Sequence, residues 1–122
     1  REIGGTADVT LACKAAKQSY DYNLSFSGKA GFVYVQDVAN LVEMSIDKAP
    51  VGALTINING ITASVSDFVS KITNIIPGAK LTINGDKLSV VEEIRGNNPS
   101  EIFKSFQYTS LNEGISNTIN FY

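Results

Sequence analysis

The chain has 122 residues, of which 43% are hydrophobic, and its formal net charge is −2. This size and composition suit a single domain with a packed core and exclude a disordered chain. The scattered charges form no basic patch for nucleic acid, and no apolar run reaches the roughly 18 residues of a membrane span. No secretory leader is visible, and because the sequence starts with Arg1 rather than Met, we expect a further segment upstream.

Histidine is absent from the sequence, and cysteine occurs once, at Cys13. The first observation excludes histidine-based triads, general bases and metal ligands within this chain. The second excludes an internal disulfide and is typical of a reducing, cytoplasmic compartment. Cys13 falls on the apolar side of a predicted helix without a basic neighbour, which favours a core thiol over a reactive one.

Residues 6–35 are predicted to form one helix and two strands. Small apolar residues recur at helical spacing over residues 6–17, and Thr6 suits the N-cap. Residues 22–26 alternate apolar and polar side chains, and residues 32–35 form a short apolar run. The turn residues between these two segments predict a hairpin.

A second helix and a third strand are predicted next. Residues 36–48 show helical spacing that ends before Pro50. Asp37 lies in the first turn of this helix, where a carboxylate favours the positive end, so we interpret it as a capping residue rather than a catalytic acid. Residues 53–58 alternate as a strand does.

The last part of the chain predicts two more helices and one strand. Residues 64–78 carry the clearest helical pattern, opened by Ser64 and ended by Pro77-Gly78. Residues 80–84 alternate again, and Ser110 opens a final helix. Helices and strands thus alternate as in an α/β protein, and residues 36–84 could add strands to a larger sheet. None of the predicted strands is followed by the Gly-rich turn that would hold a nucleotide.

Four segments in this order carry a resemblance to a known family. They are Phe32-Val33-Tyr34-Val35-Gln36-Asp37-Val38-Ala39, Gly52-Ala53-Leu54-Thr55-Ile56-Asn57-Ile58, residues 64–78, and Ser110-Leu111-Asn112-Glu113-Gly114-Ile115. Together they resemble the C-terminal half of the extended short-chain dehydrogenases/reductases, the family of NAD(P)-dependent epimerases and dehydratases. Residues 1–5 look like the end of that family's loop after its catalytic region.

The resemblance implies a fold and a missing part. It implies that residues 1–122 form a single substrate-binding region, the C-terminal part of a Rossmann-type α/β protein with a small lobe of helices and short strands. It also implies that NAD or NADP is bound by an N-terminal Rossmann half and not by this chain alone. The family's Gly-rich turn and its Tyr-x-x-x-Lys pair are absent from this sequence. We therefore expect the Rossmann half to be supplied in cis or by another chain.

One departure from the family bears on the substrate. Many nucleotide-sugar members have Arg-Asp where this chain has Ala30-Gly31, and that Arg contacts the nucleotide phosphates. A bidentate clamp is therefore absent, and Lys29 could offer only a point charge. A smaller sugar acid or polyol thus becomes a candidate substrate beside a nucleotide sugar.

Three residues are candidates for substrate binding, namely Arg1, Phe26 and Lys29. The resemblance places Phe26 on a strand that lines the substrate pocket and Arg1 on the loop behind the catalytic strand. Each has an ordinary alternative, since Phe26 could be core, Lys29 a solvated turn residue and Arg1 an exposed terminal residue. No catalytic, cofactor-binding or metal-binding residue is predicted.

Three hypotheses on function follow. The leading one is the substrate-binding part of an NAD(P)-dependent sugar or sugar-nucleotide epimerase, dehydratase or dehydrogenase, without nucleic-acid or membrane partners. The second is a catalytically inactive binding module that forms a homo-oligomer through the apolar surface left by the missing Rossmann sheet. The third is an unrelated small α+β domain, which is favoured if residues 53–58 do not run parallel to a neighbouring strand.

Overall fold

The computed structural model describes residues 7–48, 52–88 and 96–122. Within these ranges the chain is a small mixed α/β domain of five helices and two two-stranded sheets, which confirms the expected class at this level. The helices are α1 (Asp8–Gln18), α2 (Val35–Lys48), α3 (Val65–Ile75), the short α4 (Pro99–Ile102) and α5 (Leu111–Phe121). The strands are β1 (Tyr22–Leu24), β2 (Lys29–Phe32), β3 (Ile61–Ser64) and β4 (Leu81–Ile83). None of the helices in these ranges is long and apolar enough to cross a bilayer.

The main core lies where α1, α3 and α5 pack together over β1. Ala12 and Ala16 of α1 are buried, and side chains this small let the neighbouring helices approach closely. Leu24 of β1 and Ile72 of α3 are fully buried in the same cluster. Burial of a Leu or Ile side chain stabilises a fold by about 1.5–3 kcal/mol, so these two residues are major contributors.

The two sheets pair strands that are distant in sequence. β1 runs parallel to β4, with Leu24 opposite Ile83, and β2 runs antiparallel to β3, with Phe32 opposite Ile61. The predicted hairpin between residues 22–26 and 32–35 is therefore wrong. Ser25 ends β1 by donating its N–H and hydroxyl to the carboxylate of Asp8, which draws the chain toward α1 instead of into a tight turn.

Residues 53–58, predicted as a strand, pair with no strand among the described residues. The Asn57 N–H donates to the Asn97 carbonyl at 3.2 Å, and the Asn97 side chain donates to the Thr55 carbonyl at 3.1 Å. The strand begins only at Ile61, as β3. Residues 53–58 thus lack a parallel neighbour, which is the outcome that the unrelated-domain hypothesis expects.

The predicted helix starts at Ser64 and Ser110 are confirmed. The hydroxyl of Ser64 accepts the N–H of Asp67 at 3.0 Å, and that of Ser110 accepts the N–H of Glu113 at 3.3 Å. Each bond satisfies a donor that the helix itself leaves without a partner. The predicted cap at Thr6 lies outside the described residues.

A buried carboxylate fixes the start of α1. Asp8 is 6% exposed and accepts hydrogen bonds from the Tyr22 hydroxyl at 3.0 Å and from the N–H and hydroxyl of Ser25, both at 2.6 Å. Burial alone would raise the pKa of Asp8, but these hydrogen bonds outweigh it and hold the pKa below its usual 3.8. Asp8 therefore contributes stability that is fully present above pH 3.8 and is lost as the pH falls through its folded-state pKa.

Asp8→Asn should lower the free energy of unfolding by about 2 kcal/mol at pH 7, because hydrogen bonds to a charged acceptor are lost. The difference from the unsubstituted chain should shrink as the pH falls below 3.8, which urea titrations followed by circular dichroism would measure. Asp67→Asn is the matched control, since Asp67 is also a first-turn carboxylate but forms only a half-exposed pair with Lys71. It should cost about 0.5 kcal/mol or less. Equal losses for both variants would contradict a special role for Asp8.

Gly85 lies where two backbones meet. A Cβ at this position would overlap the carbonyl of Ser25, so the turn after β4 closes on the end of β1 only with glycine. By contrast, a Cβ on Gly114 in α5 would sit 3.6 Å from Tyr34, which is an ordinary contact. The fold therefore requires a glycine at position 85, whereas it has room for a Cβ at position 114.

Gly85→Ala should destabilise the chain by about 3 kcal/mol or more, because one backbone segment has to move away from the other. Gly114→Ala should instead stabilise it by about 0.5–1 kcal/mol through higher helix propensity. Thermal and urea unfolding of the two variants, followed by circular dichroism, compares the same substitution at both sites. A tolerated Gly85→Ala would show that this backbone approach is not required.

Candidate functional site

A cavity of about 280 Å³ lies between α1, α5 and the β2–β3 pair, and we call it the α1–α5 cavity. Cys13, Phe68 and Ile115 are at most 5% exposed and form its floor. Gly31, Val33 and Ser110 are exposed and form its mouth. The cavity is thus open to solvent on one side and reaches into the main core on the other.

The wall of the cavity is mainly apolar. The rings of Phe32 and Phe68 stack with their centroids 4.9 Å apart and their planes 11° apart. Tyr34 lies beside Gly114, and both line the cavity. No charged side chain lines the cavity in the part of the chain that the structure describes.

Asp37 sits beside the cavity and joins two elements. It is 3% exposed, and its carboxylate accepts the N–H of Thr109 at 3.0 Å and the Thr109 hydroxyl at 2.6 Å. The predicted position of Asp37 in the first turn of the helix is confirmed, but the hydrogen bonds that its carboxylate accepts among the described residues come from the segment before α5 and not from N–H groups of α2. Its structural role remains, because the bond fixes the start of α2 against the rim of the cavity.

The predicted substrate-binding residues lie apart from this cavity. Arg1 is outside the described residues. Phe26 is 5% exposed and belongs to the main core cluster, and Lys29 is exposed as the first residue of β2. Neither lines the α1–α5 cavity. Gly31, at the position that departs from the family, is required here because a Cβ would overlap the carbonyl of Asn59.

A second feature is an apolar surface that we call the apolar face. On α2 it consists of Val35, Ala39, Val42 and Ile46, which share one side of the helix, and on the neighbouring segment of Leu54 and Ile58. Val35, Val42 and Ile46 are 74%, 57% and 80% exposed. Scattered apolar surface residues are ordinary, but a continuous helical stripe exposed to this extent marks a contact surface.

The inner sides of α2 and residues 53–58 meet in a second, smaller core. Leu41 of α2 is buried against Phe103 and Phe106, and Ile56 packs against the same cluster. Leu54 and Ile58, on either side of Ile56 along the segment, are 47% and 37% exposed. Residues two apart in a strand-like segment share one face, so Leu54, Ile56 and Ile58 belong to the same apolar side of residues 53–58, and no strand in the described ranges pairs with them.

Comparison with protein-family models, with curated proteins and with solved structures found no match for this chain. The family resemblance therefore depends on the four sequence segments alone. A metal centre has no support in the described ranges, since no three Cys, Asp or Glu side chains there are grouped to hold an ion. The α1–α5 cavity and the apolar face are the two features on which a function can be argued.

Cys13 should be nearly inert in the folded chain. Burial raises the pKa of its thiol from 9.0 to about 12, so the reactive thiolate at pH 8 is about a thousandfold less populated than in the unfolded chain. Iodoacetamide labelling followed by mass spectrometry should be slower by at least that factor without urea than with it. Rapid labelling of the folded chain would contradict the placement of Cys13 on the cavity floor.

Proposed function

We propose that this chain is the substrate-binding part of an NAD(P)-dependent epimerase, dehydratase or dehydrogenase of the extended short-chain type, acting on a sugar or sugar nucleotide. We further propose that the apolar face docks the Rossmann half that binds NAD(P). The observation that carries the proposal is the apolar face itself, with Val42 and Ile46 more than half exposed on α2. A surface of this kind requires a partner in the working protein.

The hydrogen-bonding pattern of the backbone at residues 53–58 supports a β-sheet as the partner that covers the apolar face. On one side, Thr55 and Asn57 are hydrogen-bonded to Asn97. On the other side, the N–H and carbonyl groups of Leu54, Ile56 and Ile58 have no partner among the described residues. A segment with one free row of backbone groups is suited to extend the edge of a sheet.

The apolar side chains of this segment agree with one buried face of such a sheet. Residues two apart along a strand share a face, so Leu54, Ile56 and Ile58 lie on the same side, and Ile56 packs against the cluster below α2. Leu54 and Ile58 are 47% and 37% exposed. Docking onto a Rossmann sheet would cover these residues and the stripe on α2.

The segments that carry the family resemblance support the proposal at three places. β2 ends at Phe32 and α2 begins at Val35, as a strand-to-helix signature requires. α3 and α5 begin directly after their Ser caps. Among the described residues none forms a ladder with residues 53–58, and in this proposal their partner strand belongs to the missing half.

The proposal assigns binding to this chain and hydride transfer to the other half. The sequence contains no histidine, no Gly-rich turn and no Tyr-x-x-x-Lys, so the cofactor and the catalytic pair have to come from outside it. Lys29 is exposed and could contact an anionic group of the substrate. Phe26 is packed in the core and would act by supporting the lobe.

A second candidate function is a self-associating binding module. It is favoured by the same apolar face. In that case a second copy, not a Rossmann sheet, would cover α2. The two candidates differ in the mass of the isolated chain and in the sequence encoded upstream of Arg1.

The experiment compares Val42→Asp with the matched control Asn40→Asp, which adds the same charge on the exposed polar side of α2. In the protein that includes the upstream sequence, Val42→Asp should lower the free energy of unfolding by at least about 2 kcal/mol and weaken NAD(P) binding, since a charge would be buried. Asn40→Asp should change stability by no more than about 0.5 kcal/mol. Calorimetry and cofactor titration measure both effects.

Two results would decide against docking of a Rossmann half. One is an open reading frame that begins near Arg1, with no partner chain that carries a Gly-rich turn and Tyr-x-x-x-Lys. The other is an isolated chain that light scattering shows as a stable dimer and that Val42→Asp converts to a monomer. The second result would establish the self-association module instead.

A further inference from the structure

We propose that the α1–α5 cavity binds an uncharged, mostly apolar ring that carries a single hydrogen-bonding group, as a phenol does. This inference does not depend on the proposed function, because described residues of this chain alone form the cavity. It concerns a ligand of the lobe itself and involves neither NAD(P) nor the apolar face. It also differs from the sugar-type substrate expected at Phe26 and Lys29.

The size of the cavity sets the size of the ligand. Apolar protein cavities of about 150 Å³ bind benzene, and sites for drug-sized ligands begin at about 300 Å³. At about 280 Å³ the α1–α5 cavity therefore suits one six-membered ring with small substituents, or a compact bicyclic ring. Its mouth at Gly31 and Val33 gives such a ligand a route from solvent.

The walls select a flat, apolar group. Phe32 and Phe68 present a stacked aromatic pair on one side, and Val9, Ile61 and Ile115 add aliphatic surface. Aromatic rings pack favourably against such a surface in offset-stacked or edge-on arrangements. The described lining residues provide no charge that could neutralise a phosphate or a carboxylate.

The polar groups of the lining are largely in use. The Thr109 hydroxyl donates to Asp37, the Thr118 hydroxyl donates to the Gly114 carbonyl, and the Ser110 hydroxyl accepts the Glu113 N–H. Within the described part of the chain, the Tyr34 hydroxyl has no hydrogen-bond partner, and the Ser110 hydroxyl accepts one bond but keeps its O–H donor. The lining therefore offers only a few hydrogen-bonding sites to a ligand.

This limit distinguishes a phenol-like ring from a sugar. Each buried hydroxyl left without a partner costs about 1–3 kcal/mol, and a hexose carries several. A sugar that entered the cavity would lose more hydrogen bonds to water than the lining could replace. A ring with one hydroxyl or carbonyl group avoids this cost because a single lining hydroxyl, such as that of Ser110 or Tyr34, is enough for it.

The test is a titration of the isolated chain with 4-methylphenol, glucose and uridine monophosphate, followed by methyl NMR spectra. We expect 4-methylphenol to shift the methyl signals of Val9, Ile61 and Ile115 in a saturable way, and the other two compounds to leave them unchanged. The methyl signals of Ile72, which is buried in the core outside the cavity lining, report whether each variant is folded.

Each of two substitutions fills the cavity with a larger side chain. If one of these variants does not fold, the other still tests the proposal. Cys13→Leu and Thr118→Leu should each weaken 4-methylphenol binding by at least about tenfold, while the control Cys13→Ala should stay within about threefold. The proposal is overturned if 4-methylphenol gives no saturable shift, if both filling variants bind it as the unsubstituted chain does, or if glucose or uridine monophosphate binds the cavity more tightly. None of these outcomes affects the docking experiment on α2.

Discussion

Alanine side chains on one side of α1 set the distance at which the other helices of the main core can pack. Ala12 and Ala16 are buried there, and the close approach of α5 and α3 depends on their small size. Asp8 then fixes the direction in which the chain leaves this layer, because it binds Ser25 after the end of β1. Both the position of β1 and the width of the α1–α5 cavity follow from this arrangement.

α2 is attached to this core in a different way. One buried carboxylate, Asp37, binds Thr109, and one small cluster around Leu41 holds the inner side of the helix. The opposite side carries the apolar face. A helix that has few contacts within its own domain and a continuous apolar side gains most of its stability from whatever covers that side, since tertiary packing stabilises most protein helices.

The sequence allowed the helices to be predicted and left the tertiary pairings open. α3 and α5 could be placed because helical spacing and Ser caps are local signals within a few residues. The partner of β1 could not, because Leu24 pairs with Ile83 and no local pattern encodes that distance. Residues 53–58 were predicted to form a paired strand, and this failed for a related reason. The alternation of apolar and polar side chains indicates a strand-like segment but not whether a partner strand is present.

The candidate site was harder to predict than the fold. Gly114 lies beside the cavity and has no side chain, so the sequence gives no signal that this residue belongs to a ligand site. Asp37 was recognised as structural, but its partner Thr109 is 72 residues away and could not be inferred. Phe26 lies at an apolar position of an alternating segment, a pattern that core residues and pocket residues share. Only its burial in the structure places it in the core cluster.

The parallel pairing of β1 with β4 also has a consequence for synthesis on the ribosome. Leu24 can pair only after Ile83 has been synthesised, and at about 5–20 residues per second the 59 residues from 25 to 83 take roughly 3–12 s. During this interval the nascent chain exposes the apolar residues of α1 and β1, which a chaperone could bind. Translation speed between these two strands would therefore influence the yield of folded chain, although no residue of the finished fold would differ.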